Sequence, residues 1–144
     1  MNQNDIIISE AQVDDVDHVI GLWQKTNLVR PWNDPHQDCC RALKEQASEL
    51  FVSKIEGTII GSVMAGYEGH RGWIYYLAVC PSCQNCGVGK KLYFHAEEWL
   101  KRKGAPKIQI LIRRDNDQII DFYHTTALIE MDLEQLDLNY ITKL

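Results

Sequence analysis

A glycine-bearing segment reads Gln84-Asn85-Cys86-Gly87-Val88-Gly89-Lys90-Lys91 and stands between an apolar strand and a long amphipathic helix. The strand is predicted over residues 73–79, where nearly every residue is apolar or aromatic, and the helix over about 88–103. Glycines let a backbone approach a ligand closely, and the first amides of a helix point outward at the positive end of its dipole. The pattern therefore favours a site for an anion such as a pyrophosphate, with an ordinary turn as the alternative.

Two common phosphate-binding motifs do not fit this segment. The Walker loop requires Gly-x4-Gly-Lys-Ser/Thr, and the dinucleotide fingerprint Gly-x-Gly-x-x-Gly requires a third glycine beyond Gly87 and Gly89. Lys90 and Lys91 still place positive charge beside the two glycines. The residues alone leave the identity of the anion open.

The rest of the chain predicts strands and helices without a repeat, a low-complexity tract or a linker. Strands are expected at 6–8, 50–55, 58–64, 73–79 and 107–112, with one or two more after residue 128. Helices are expected from about residue 14, at 36–48, at 88–103 and, as a short one, at 116–125. This order predicts a mixed α/β fold in which an antiparallel meander leads into one crossover unit.

Composition limits the class of protein. The chain has 144 residues, of which 45% are hydrophobic and 24% charged, which is typical of one globular domain spanning residues 1–144. The net charge is −5, from 15 Lys and Arg against 20 Asp and Glu, and this disfavours a nucleic-acid partner. The sequence shows neither a signal peptide nor an apolar run of the roughly 18 residues that cross a bilayer. We therefore expect a cytoplasmic protein with no membrane partner.

The glycine segment and a second motif resemble one family closely. Gln84-x-x-Gly87-x-Gly89 after an apolar strand resembles the acyl-CoA signature of the GNAT superfamily of N-acetyltransferases, and Asn116 with Phe122-Tyr123 resembles that family's second motif. Further strings resemble a group of small bacterial acetyltransferases in the superfamily, and they are Arg30-Pro31-Trp32-Asn33-Asp34-Pro35, Gly69-His70-Arg71-Gly72, Pro106-Lys107-Ile108-Gln109-Ile110 and Asp115-Asn116-Asp117. The resemblance covers nearly the whole chain. It implies a mixed, mostly antiparallel sheet of about six to seven strands, flanked by four helices, with splayed central strands.

The same resemblance implies acetyl-CoA as the acyl donor. Main-chain groups of the strand before the loop would bind the pantetheine arm, amides of residues 84–90 would hold the pyrophosphate, and Asn116 would hydrogen-bond the pantetheine. The implied CoA-binding residues are Leu77, Ala78, Val79, Gln84, Asn85, Cys86, Gly87, Val88, Gly89, Lys90 and Asn116. No metal is expected.

The implied reaction is direct transfer of the acetyl group to a primary amine of a small metabolite, a peptide N-terminus or a lysine. Tyr123 matches the general acid that protonates the departing thiolate, and a main-chain N–H would hold the oxyanion. No motif identifies the general base. Glu68 and His70, in a turn predicted to border the acceptor side, are the candidates, with solvated surface residues as the alternative. The residues expected to contact the acceptor are Arg30, Trp32, Asp34 and Tyr67, with Trp32 alternatively anchoring its own loop.

One departure from the family pattern follows Tyr123. Thr125-Thr126-Ala127-Leu128 stands where family members usually have a Leu-Gly-aromatic turn, so the end of this helix is expected to differ. The alternative to an enzyme is an acyl-CoA-binding sensor without turnover. The family resemblance is also compatible with a homodimer.

The five cysteines are grouped unevenly, as Cys39-Cys40 and as Cys80, Cys83 and Cys86 at every third position. The second group resembles the start of a ferredoxin-type run, but the fourth cysteine followed by proline is missing. It also falls on the segment that CoA would require. We therefore interpret these cysteines as residues of the loop and not as metal ligands.

Overall fold

The computed structural model describes residues 5–113, 118–119, 121–123 and 136–141 of the chain. Strands and helices follow in the order β1 (Ile7–Glu10), α1 (Val16–Lys25), α2 (Pro35–Lys44), β2 (Ser48–Ile55), β3 (Thr58–Tyr67), β4 (Gly72–Val79), α3 (Val88–Lys103), β5 (Ile108–Arg113) and β6 (Leu136–Ile141). Residues 118–119 and 121–123 are also helical, and short 3₁₀ turns precede α1 and follow β4. In these ranges, no helix combines the length and apolarity needed to cross a bilayer.

The strands form one six-stranded sheet in chain order. Strands β1 to β4 pair antiparallel, whereas β4 with β5 and β5 with β6 pair parallel. The predicted mixed, mostly antiparallel sheet is confirmed. The parallel β5–β6 pair adds a second crossover that the sequence pattern did not predict.

Two helices show how local sequence sets their ends. α3 begins and ends where the sequence predicted, because Gly87 and Gly104 adopt left-handed φ values of 83° and 89° on either side of it. The prediction that the second helix runs to residue 48 is wrong, since α2 ends at Lys44 and Glu45 is extended, with φ −80° and ψ 136°. Asp34 caps the start of α2 by accepting a hydrogen bond from the amide of Gln37.

Helices cover both faces of the sheet and produce two cores. On one face, α3 packs the buried side chains of Leu92, Tyr93 and Ala96 against the sheet. On the other face, α1 and α2 bury side chains that include Trp23 and Cys39. The sheet is thus the middle layer of three, and its strand ends are where a ligand can reach the backbone.

A bulge and a split interrupt the middle of the sheet. Tyr76 and Leu77 of β4 together oppose one residue of β3, Val63, and Tyr76 has a positive φ of 51°. β4 pairs with β5 only over Gly72–Ile74, so the two parallel strands separate beyond that point. The predicted splay of the central strands is confirmed, and it opens the carboxyl end of β4.

Candidate active site

A cavity of about 460 Å³ lies at the opened end of β4. Its wall combines the end of α1, the end of β4, the segment leading into α3 and the helical residues near 120, and consists of Thr26, Leu28, Leu77, Ala78, Val79, Cys83, Gln84, Asn85, Gly87, Gly89, Lys90, Gln118, Ile119, Asp121 and Phe122. Eight of the eleven residues predicted to bind CoA are in this wall. Asn116 lies outside the described residues, and the side chains of Cys86 and Val88 do not line the cavity.

The start of α3 has the geometry of an anion site. Gly87 precedes the helix with φ 83° and ψ 4°, and its carbonyl accepts the first bond of the helix from the amide of Lys91 at 3.1 Å. The amides of the first turn of α3 lie at the positive end of the helix. Val88 is 1% exposed, so this residue offers a ligand its main chain and not its side chain.

A second, more open depression of about 860 Å³ lies between β1 and α3. It shares Gly87 and Lys90 with the first cavity and adds Lys91, Phe94 and other residues of α3. The N-terminus of α3 is consequently accessible from two sides. A long ligand bound at this N-terminus could extend into the cavity on one side and into the depression on the other.

Gln84 and Gly89 have structural roles that the motif did not reveal. The side-chain amide of Gln84 donates a hydrogen bond to the carbonyl of Val79 at 3.0 Å and so closes the turn after β4. A Cβ on Gly89 would lie 3.3 Å from the Phe122 ring, a tight contact. Gly89 thus allows Phe122 to approach α3, whereas the sequence analysis expected glycine only to clear space for a ligand.

Tyr123 lies beside the cavity but within the core. Its side chain is 2% exposed and packs edge-on against Tyr93, with ring centroids 5.9 Å apart. Burial raises the pKa of its hydroxyl above the ordinary value for tyrosine, which keeps the group protonated at neutral pH. Phe122, the preceding residue, lines the cavity instead.

The predicted general bases lie at the amino end of β4, whereas the cavity lies at its carboxyl end. Tyr67, which ends β3 just before the turn carrying Glu68 and His70, donates a hydrogen bond from its hydroxyl to the carbonyl of Gly104 at 3.4 Å. Gly104 caps the far end of α3, and a helix of 16 residues is about 24 Å long. α3 and β4 carry this turn away from the cavity, and its place on the acceptor side stays a prediction.

Glu68 also has a structural use for its carboxylate. One oxygen accepts hydrogen bonds from the amides of His70 and Arg71, and the other accepts one from the Trp73 indole at 3.2 Å. The hydrogen bond from Arg71, followed by those within the turn and from Trp73, holds the pKa of Glu68 below its usual value. A carboxylate stabilised in its ionised form is a weaker base.

We expect Glu68→Gln to leave the turnover number for acetyl transfer close to that of the parent. A general base contributes about 100-fold or more, so a loss of that size would show that Glu68 acts as the base.

The Glu68 carboxylate should affect the pH dependence of the stability of the protein. Because the folded-state pKa is lowered, Glu68 stabilises the fold above its unfolded pKa and loses this contribution as pH falls through the folded pKa. Chemical denaturation at several pH values should show that the variant lacks this dependence.

Three of the four predicted acceptor residues lie between α1 and α2, and the fourth, Tyr67, ends β3. Asp34 is the cap of α2, and Arg30 donates from its guanidinium to the carbonyl of Asn27 at 2.7 Å, so both have local structural partners. Trp32 is 43% exposed and is not a core anchor. This segment follows Thr26 and Leu28, which line the cavity, but the three predicted residues do not.

Sequence reasoning missed a polar network that supports the bulge. The Trp23 indole donates to the Ser62 hydroxyl at 2.9 Å, and that hydroxyl donates to the carbonyl of Tyr76 at 2.9 Å. The Tyr76 ring stacks on Trp23 at 3.8 Å between centroids, and its hydroxyl donates to Asp38 at 2.8 Å. Burial and the bond to Asp38 raise the pKa of Tyr76. The signal in the sequence for this network was Ser62, a polar residue in the largely apolar strand β3.

The cysteines of the loop do not converge into a metal site. Across the described ranges, no group of three or more His, Cys, Asp or Glu side chains is arranged to hold a metal ion. The Cys86 thiol lies 3.6 Å from the carbonyl of Gln84, within its own turn.

Comparison with known proteins agrees with the fold. The model of the acetyltransferase (GNAT) family matches residues 18–126. An acetyltransferase of Yersinia pestis (strain Pestoides F) is 45% identical over 112 residues, which is 78% of this chain and 79% of the relative. The chain therefore belongs to the GNAT family. It is an acetyltransferase.

Two solved structures share this fold at low sequence identity. The aminoglycoside acetyltransferase meta-AAC0020 from an uncultured soil metagenomic sample, in complex with trehalose, has a TM-score of 0.74 and 21% identity, over 99% of this chain and 98% of its own. The aminoglycoside N-acetyltransferase AAC(6')-Iy in complex with CoA has a TM-score of 0.75 and 18% identity, over 88% and 90%. At these identities the likeness establishes the shared fold.

Proposed function

We propose that this acetyltransferase moves the acetyl group of acetyl-CoA directly to a primary amine, within a complex that holds both substrates. The observation that carries the proposal is the cavity at the split between β4 and β5, where the left-handed Gly87 and the start of α3 adjoin the main chain of Leu77–Val79. The start of α3 suits a pyrophosphate, and the main chain of Leu77–Val79 suits an extended arm that carries amides. The CoA in the structure of AAC(6')-Iy supports this choice of donor.

The chemistry requires three groups. The amine nitrogen attacks the thioester carbon and gives up a proton to a base, directly or through water, while the carbonyl oxygen becomes an oxyanion held by a donor. The carbonyl then re-forms as the carbon–sulfur bond breaks, and an acid protonates the departing thiolate. A main-chain N–H of the β4 bulge at Tyr76–Leu77 is our candidate for the oxyanion donor, because a bulge leaves a residue outside the regular ladder. Tyr123 remains our candidate for the proton that reaches the thiolate.

The acceptor class is also part of the proposal. Primary amines of small metabolites, of peptide N-termini and of lysine side chains all provide the required nucleophile. The net charge of −5 favours a cationic acceptor. The aminoglycoside acetyltransferases that share the fold support a small polyamine as the first class to test.

Thiol release from acetyl-CoA in the presence of an amine panel tests this function. We expect at least one amine to accelerate release, with saturation in both substrates and intersecting kinetic patterns. The alternative is a CoA-binding sensor, which the burial of Tyr123 and its absence from the cavity lining favour. Micromolar CoA binding without release by any amine would support the sensor and contradict the enzyme.

Replacing Tyr123 by phenylalanine tests the proposed general acid. We expect turnover to fall by about 100-fold, because general acids commonly contribute that much, while affinity for CoA stays nearly unchanged. Tyr93→Phe is the matched control, since the two rings pack edge-on and both are buried. Equal effects of the two variants on turnover would assign Tyr123 to packing alone.

A further inference from the structure

The segment Cys80-Pro81-Ser82-Cys83 brings two thiols together at the edge of the cavity. It forms a 3₁₀ turn over Pro81–Cys83, closed by a hydrogen bond from the amide of Cys83 to the carbonyl of Cys80 at 2.8 Å. Residues three apart in such a turn eclipse each other, about 6 Å apart along the axis, which lies within the Cα spacing of disulfides. The Ser82 hydroxyl lies 3.4 Å from the Cys80 sulfur and 3.7 Å from the Cys83 sulfur. Both sulfurs are therefore within reach of the same oxygen.

The surroundings of Cys80 favour reaction with oxidants. Hydrogen bonds from the side chain and then the backbone of Ser82 lower the pKa of the Cys80 thiol, and the nearby Lys25 and Cys83 act in the same direction. Cys80 and Cys83 are both partly exposed. Cys39 provides the contrast, because it is fully buried and burial raises the pKa of its thiol to about 11. Thiolate character and access together determine cysteine reactivity.

The position of the turn connects this pair to the binding site. The amide of Cys80 donates to the carbonyl of Ile60 at 2.8 Å, which anchors the start of the turn to β3. Cys83 lines the cavity and directly precedes Gln84, the first residue of the glycine-bearing segment. Any rearrangement of Cys83 is therefore passed to the backbone that leads into the anion site.

We propose that Cys80 and Cys83 form a reversible disulfide under oxidation, and that this modification weakens the binding of CoA. The effect on CoA rests on the proposed function, whereas the disulfide does not. Joining the sulfurs displaces Cys83 within the cavity wall and shifts the segment that follows it. Amides that must converge on one anion lose affinity when their relative positions change.

With hydrogen peroxide as the oxidant, the reaction balances in two steps. The Cys80 thiolate attacks one peroxide oxygen and breaks the O–O bond, which forms a sulfenic acid and releases hydroxide that is protonated to water. The Cys83 thiolate then attacks the Cys80 sulfur, forms the S–S bond and releases a second hydroxide, which is also protonated to water. A dithiol such as dithiothreitol returns the two electrons and restores both thiols.

Mass spectrometry of the full chain decides whether the disulfide forms. Reduced protein is treated with hydrogen peroxide, its remaining thiols are alkylated, and fragmentation maps the modified cysteines in the peptide that follows Arg71. We expect loss of two hydrogens and of alkylation at Cys80 and Cys83, in the parent and in Cys86→Ser, and no such bond in Cys80→Ser. Absence of the bond in the parent, or a Cys83–Cys86 bond in its place, would overturn the assignment.

Calorimetry with CoA then tests the consequence. We expect oxidised protein to bind CoA about tenfold more weakly, which is within the usual range for coupled sites, and dithiothreitol to restore affinity. Cys80→Ser should bind CoA as the reduced parent does and should not respond to peroxide. Unchanged affinity in protein that carries the disulfide would refute the coupling. If the reduced parent itself does not bind CoA, the proposed function fails, while the mass spectrum still decides whether the disulfide forms.

Discussion

Gly87→Val is expected to weaken CoA binding by about 100-fold or more. Gly87 has φ 83° immediately before α3, a conformation that a β-branched residue adopts only with strain. Valine would therefore move the first turn of α3 and turn its amides away from the anion. Loss of two hydrogen bonds to a charged group, each worth about 1.5–3 kcal/mol, accounts for an effect of this size. Titration calorimetry with CoA measures it.

Gly57→Val is the matched control for backbone strain. Gly57 has φ 81° in the turn between β2 and β3, and a Cβ there meets nothing within 4 Å. We expect both variants to lose similar stability in thermal unfolding, with CoA affinity lowered only in Gly87→Val. Parent-like affinity in a folded Gly87→Val protein would show that the start of α3 is not where the phosphates bind.

Trp23→Ala should strongly destabilise the protein and should also lower turnover. Trp23 is fully buried, stacks on Tyr76 and donates to Ser62, whose hydroxyl bonds the Tyr76 carbonyl. Replacing a buried tryptophan by alanine costs about 3–5 kcal/mol in free energy of unfolding. The bulge of β4 also loses its support, so a main-chain donor placed by that bulge would be misplaced. Urea denaturation and steady-state kinetics measure the two effects.

Trp99→Ala separates general destabilisation from loss of the bulge. Trp99 lies on α3, is 8% exposed and belongs to the core on the other face of the sheet. We expect a comparable loss of stability, with turnover of the folded fraction near that of the parent. If turnover falls equally in both variants at matched folded fraction, the network around Trp23 has no specific part in the reaction.

Much of the fold was predictable because its signals are local. The bounds of α3 follow from two glycines and an apolar stripe, and the β2–β3 hairpin follows from Glu56-Gly57 between two strand-like runs. The helix that ends at Lys44 was overextended in the prediction, since its last residues and the start of β2 have similar polarity. The parallel pairing of β6 with β5 depends on contacts distant in the chain, and local pattern does not encode it.

The candidate site was likewise predictable where its residues are consecutive in the chain and not where they come from distant elements. The glycine motif located the wall of the cavity, because the turn before α3 and the helix start are consecutive in the chain. Thr26 and Leu28 join that wall from the end of α1 and carried no motif, and Phe122, although part of the second motif, was not predicted to line it. Glu68 and His70 were assigned to the site from polarity and proximity to β4, but the sequence does not say how far the amino end of β4 lies from the cavity.

The sequence by itself is sufficient for the elements, their order and the glycine-preceded start of α3, because propensity, periodicity and glycine geometry act over a few residues. Only the tertiary structure decided which groups meet. It showed that the turn at Glu68 lies at the far end of α3, that Tyr76 bulges over Trp23, and that Cys83 belongs to the cavity wall. These facts depend on how far each element extends and on which neighbour it packs against, and packing is a property of the whole chain.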